Sequence, residues 1–158
     1  MRRPILIAFM LLLGGILMPL KADSQSDKAR AQVILGRMAS FYNRGEADSI
    51  KAFFQNDMDK LRHLGQWNEY YEVWTFYINS LIYYSNSKNQ ALREVQLMFA
   101  DAMERKETYG QGIAYYTMGN VYLNMNNLDQ SADAYEKGLQ QLLQLSPLPI
   151  YTSEVFTS

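Results

Sequence analysis

Few residues in this 158-residue chain could do chemistry. The single histidine, His63, stands in Lys60-Leu61-Arg62-His63-Leu64-Gly65, and an imidazole there could act as a base or a metal ligand. The same position lies at the end of a helical stretch, where the helix dipole alone favours a cation. With no cysteine and no second histidine, zinc and other transition metals have no ligand set. Asp57 with Asp59, and Glu69 with Glu72, offer paired carboxylates, but acids two or three residues apart on a helix are expected to be solvated. Serine and threonine hydroxyls have only His63 as a base, which leaves a hydrolase triad unsupported. Gly110-x-Gly112 follows no strand, so it does not read as a nucleotide loop. The expectation is therefore no catalytic residue, no cofactor and no metal.

Binding calls for other residue types. The chain holds twelve tyrosines, and Tyr70, Tyr71, Tyr77, Tyr83, Tyr84, Tyr115 and Tyr116 are too many to face inward equally. Some are expected to build the core and others to line a groove, where a ring offers apolar area and a hydroxyl.

The elements that would position these rings follow from spacing. Ala31, Ile34, Leu35, Met38, Phe41 and Tyr42 recur at threes and fours, which predicts a helix from Lys28 that stops at Asn43-Arg44-Gly45. Ile50, Phe53, Phe54, Met58 and Leu61 predict a second, broken by Gly65. From Trp67, the residues Tyr70, Tyr71, Trp74, Tyr77, Ile78, Leu81, Ile82 and Tyr84 form a broad stripe that predicts contact on two sides. Ser85-Asn86-Ser87 reads as a turn, and Ala91, Val95, Met98, Phe99, Ala102 and Met103 as a fourth helix. Two more are expected at about 109–125 and 128–145. All four prolines lie at Pro4, Pro19, Pro147 and Pro149, so none interrupts this body, and no alternating strand pattern competes. The predicted fold is all-α, a right-handed superhelical solenoid of antiparallel helix hairpins spanning about 28–61, 67–105 and 109–145.

Hairpin three carries a motif. Tyr115-x2-Met118-Gly119-x2-Tyr122, then Ser131-x3-Tyr135-x2-Gly138-Leu139, resembles the tetratricopeptide repeat, Trp-x2-Leu-Gly-x2-Tyr, then Ala-x3-Phe. Gly119 and Ser131 are expected at the close crossing of the two helices, with the three tyrosines filling the space around it. Gly138, unfavourable mid-helix by roughly 1 kcal/mol relative to alanine, predicts close approach by a following hairpin. Phe99-x2-Ala102-Met103 echoes Tyr135-x2-Gly138-Leu139 at a spacing of 36 residues. In this repeat family the first helix of each hairpin lines the binding surface. The resemblance therefore implies Tyr116, Asn120 and Asn124 as candidate groove residues and a protein or peptide as partner. Asparagine after Gly119 matches carboxylate-clamp members, but Tyr116 and Asn124 replace their lysines, which disfavours a chaperone-tail clamp.

The start of the chain predicts its address. Met1-Arg2-Arg3 followed by the apolar run to Leu20 has the layout of an export signal. Ala22 offers a cleavage residue, while bulky Leu20 leaves an uncleaved signal anchor open, so residues 1–22 read as signal peptide or anchor and 23–27 as linker. The expected location is the periplasm, with membrane contact only through an uncleaved leader. Beyond Arg2, Arg3 and Lys21, 12 basic residues face 16 acidic ones, a net charge of −4 that argues against nucleic acid. After Ser146-Pro147, the spacing of Tyr151, Val155 and Phe156 suggests the start of a truncated further repeat over 146–158. An exported, tyrosine-rich repeat array also resembles the sensor region at the start of membrane histidine kinases in Bacteroides-type bacteria. That resemblance implies a noncatalytic sensory domain whose output lies elsewhere; the alternative is a freestanding periplasmic scaffold.

Overall fold

Left-handed backbone positions punctuate the chain at regular intervals. Gly45, Asn86 and Asn126 have φ of 68°, 48° and 63°, at successive spacings of 41 and 40 residues; Gly65 and Lys106, at 64° and 58°, are again 41 apart. Glycine adopts this conformation freely, and asparagine is among the few other residues that tolerate it, so each marks the end of a helix. The computed structural model describes residues 17–145, with side-chain surroundings from Ser24 onward. These turns divide it into α1 (Leu17–Asn43), α2 (Ala47–Leu64), α3 (Trp67–Tyr83), α4 (Lys88–Arg105), α5 (Thr108–Asn124) and α6 (Leu128–Leu142). Among the described residues no strand occurs.

Consecutive helices pack on one another, and α3 also lies against both α1 and α5. The odd-numbered helices therefore make one layer and the even-numbered helices a second behind it. One apolar core runs between the layers, including Met38 of α1, Ile50 and Leu61 of α2, Ile78 of α3, Val95 and Met98 of α4, and Val121 of α5. The helix α3, with neighbours on four sides, buries Tyr70, Tyr71, Trp74 and Tyr77 almost completely. That accounts for its broad apolar stripe: a helix enclosed by others needs apolar side chains on most of its circumference.

Three expectations change. The supposed linker Asp23–Asp27 lies inside α1, because neither glycine nor proline occurs between Leu20 and Leu35 to stop the helix. The turns repeat at 40 to 41 residues, so the helix starts after Ser87 and Asn127 set Val95 level with Tyr135 and Met98 level with Gly138. The 36-residue echo of Phe99 is not the structural register. Gly138, finally, is crowded by its own hairpin: a Cβ there would stand 3.0 Å from the Gly112 carbonyl oxygen and the Tyr116 nitrogen of α5. The leader's first sixteen residues and the stretch from Ser146 lie outside the described residues. No helix among the described residues is long and apolar enough to cross a membrane.

Candidate partner-binding groove

The close crossing of α5 and α6 sets the first part of the site. A Cβ on Gly119 would lie 2.5 Å from the Tyr135 ring, and one on Gly112 would lie 2.6 Å from Leu142 Cγ, so bare backbone is what lets α6 approach. The Ser131 hydroxyl donates to the Gly119 carbonyl at 3.0 Å, satisfying a small polar group within the contact. Tyr115 packs on Phe99 of α4 with ring centroids 4.6 Å apart, Met118 borders the core and Tyr122 is half-buried. Leu139 points outward and is 38% exposed.

Lying over Gly119, Tyr135 reaches the predicted groove. Its hydroxyl donates to Asn120 Oδ1 at 2.7 Å, and its ring packs on Tyr116 with centroids 5.5 Å apart. One turn on, Asn124 Nδ2 donates to the Asn120 carbonyl at 3.0 Å and to the Tyr83 hydroxyl of α3 at 3.4 Å. The Lys88 ammonium caps this end by donating to the Asn124 carbonyl. Tyr116, Asn120 and Asn124 thus come together as the sequence predicts, joined by Tyr83 and Tyr135. Burial raises the Tyr116 and Tyr135 phenols above the usual tyrosine value, and neighbouring phenols raise them further. Both stay neutral and serve as hydrogen-bonding groups.

The tyrosines sort by helix face. Tyr70, Tyr71 and Tyr77 are core residues, whereas Tyr83 is 52% exposed. On α3 the residues with open surface past the first one are Asn68, Glu72, Thr75, Phe76, Asn79 and Tyr83, a single line at helical spacing. With α1 and α5 on either side, that line is the floor of a groove. Its members are held from the flanks: Tyr109 of α5 donates to Glu72, Thr117 of α5 lies 3.3 Å from Thr75 Oγ1, and Tyr42 of α1 packs on Phe76 at 5.1 Å. Asn79 is different. Its Oδ1 is the one fully buried side-chain oxygen or nitrogen among the described residues with no hydrogen-bond partner.

No family model, curated protein or solved structure matches this chain.

The case for a site therefore rests on its own geometry. Asn79 was not singled out from the sequence, although it stands 41 residues before Asn120, the interval at which the turns recur. The pairs Glu72–Tyr109, Thr75–Thr117 and Tyr83–Asn124 rise together along both helices, so α3 and α5 run parallel and Asn79 lies level with Asn120. Among the supposed solvated acids, Glu69 is only 6% exposed and accepts a bond from Gln32 of α1, because α3 is flanked on both sides. Asp57 is nearly buried and bonds Lys60 at 2.5 Å. His63 is exposed at the end of α2, its Nδ1 2.6 Å from the Asp59 carbonyl oxygen. Among the described residues no group of three or more potential ligands gathers that could hold a metal.

Proposed function

We propose that this chain is a noncatalytic, exported binding module of tetratricopeptide type, whose groove over α3 and α5 takes a peptide or a segment of another protein. The carrying observation is the orphaned Asn79 carbonyl oxygen on the groove floor, beside Asn120 and the exposed Tyr83. A buried acceptor left unpaired costs about 1–3 kcal/mol, which a ligand's N–H would recover. The layered hairpins, each touching only its neighbours, support a solenoid of the repeat type, although their 40-to-41-residue interval is longer than the family's 34. Read with the basic and apolar leader, the module is the sensory part of a membrane signalling protein of histidine-kinase type.

Two experiments test this. Selection from a displayed random-peptide library on the full chain is expected to enrich binders that lose at least tenfold in affinity on Tyr116→Ala and on Asn120→Ala, with helicity retained. Binders indifferent to both changes would remove the site. For the address, residues 1–22 fused to alkaline phosphatase are expected to give an active, exported reporter, and an inactive cytoplasmic fusion would remove the export claim.

A further inference from the structure

The occupant's conformation can be read from the spacing of the two asparagines, on the premise that the groove described above is the binding surface. Asn79 and Asn120 sit level on parallel neighbouring helices. Packed helix axes stand about 8–10 Å apart, so a ligand crossing from α3 to α5 must present equivalent backbone groups at that interval. A β-strand repeats its face every second residue, about 7 Å, and falls short. A polyproline II segment repeats every third residue, about 9 Å, and fits.

The side groups agree with this choice. Asn79 offers an unpaired acceptor, which calls for an N–H donor. Asn120 accepts from Tyr135 and bonds Tyr116, and its amide nitrogen has two hydrogens, so one remains to meet a ligand carbonyl. Tyr83 lies one turn beyond Asn79, and Tyr116 one turn before Asn120, which puts a ring on each side of the line between the amides. Aromatic rings flanking a shallow channel, with isolated polar groups between them, are the surfaces on which polyproline II ligands dock. The charged side chain beside this cluster, Lys88, is engaged by the Asn124 carbonyl, so the channel favours an uncharged segment.

We propose that the α3–α5 groove binds a proline-rich segment in the polyproline II conformation. A non-proline residue i donates its N–H to Asn79 Oδ1, and residue i+3 places its carbonyl on Asn120 Nδ2.

Three acetylated, amidated twelve-residue peptides titrated calorimetrically against the full chain test this: (Pro-Pro-Ala)4, which carries an N–H at every third residue, its flexible analogue (Gly-Gly-Ala)4, and (Thr-Val)6, a strand former. The expected result is binding of the proline peptide at least tenfold tighter than of the other two, with the advantage lost in Asn79→Leu. Circular dichroism of Asn79→Leu is expected to match the parent, and Asn79→Gln to restore part of the affinity, which separates lost recognition from lost folding. Binding of (Thr-Val)6 alone, still sensitive to Tyr116→Ala, would overturn the polyproline II proposal and keep the groove. An unchanged proline-peptide affinity in Asn79→Leu would likewise overturn it. No binding by any of the three, together with library-selected binders indifferent to Tyr116→Ala and Asn120→Ala, would remove both.

Discussion

At the scale of single residues, Gly119 and Gly36 make a controlled pair. Both lie inside helices, where glycine costs roughly 1 kcal/mol relative to alanine. Their surroundings differ completely: a Cβ at Gly36 meets nothing within 4 Å, whereas one at Gly119 would enter the Tyr135 ring. Gly36→Ala is expected to raise stability by up to about 1 kcal/mol, since only the propensity changes. Gly119→Ala is expected to lower it by about 1–3 kcal/mol, because displacing Tyr135 also strips the bond to Asn120. Thermal denaturation of both variants checks the contrast; equal and opposite-to-expected shifts would mean that Tyr135 is free to move. Sequence reasoning picked Gly119 out by its motif. It passed over Asn79, because an asparagine on a helix reads as solvated decoration until the flanking helices are known.

At the scale of elements, α3 carries charge into a crowded seam. Burial pushes the Glu72 carboxyl above its ordinary value of 4.5, the charge of Glu69 adds to this, and the Tyr109 hydroxyl opposes it. A group raised on folding stabilises the fold fully below its unfolded value and loses that contribution as pH rises through the folded one. Glu72 therefore favours the folded chain in mild acid and weakens the α3–α5 contact towards neutral pH. Glu72→Gln keeps an acceptor for Tyr109 and removes the charge. The expected outcome is a higher melting temperature than the parent at pH 7, with the difference vanishing near pH 4. Parallel curves across that range would show that the carboxylate is relaxed by water. The sequence located Glu69 and Glu72 correctly on one helix and misjudged their setting, since spacing along a helix does not say how many neighbours it has.

At the scale of the whole molecule, each hairpin contacts only the adjacent one, so stability is expected to be a sum over hairpins and their interfaces. The large substitution Gly119→Leu should then open hairpin three without unfolding hairpin one. Hydrogen exchange followed by mass spectrometry is expected to lose protection across 108–142 while 47–64 keeps most of it. Simultaneous loss in both would indicate a single cooperative unit. The interface that transmits any coupling is Gly110 against Tyr71, where a Cβ would stand 2.3 Å from the ring. The Tyr71 hydroxyl in turn donates to Asp101 of α4 at 2.9 Å.

Helix number, the turns at Gly45, Asn86 and Gly65, and the tight α5–α6 crossing were all legible in the residues, because apolar periodicity, glycine and side-chain size act locally. The tyrosines of α3 announced contact on two sides for the same reason. The register between hairpins was not legible, since a 41-residue interval leaves no mark when the residues at equivalent positions differ in type, as Val95 and Tyr135 do. Nor was the sorting of the tyrosines, the enclosure of Glu69, or the unpaired oxygen of Asn79. Those depend on which helices flank α3 and how close they come, and only packing in three dimensions decides that.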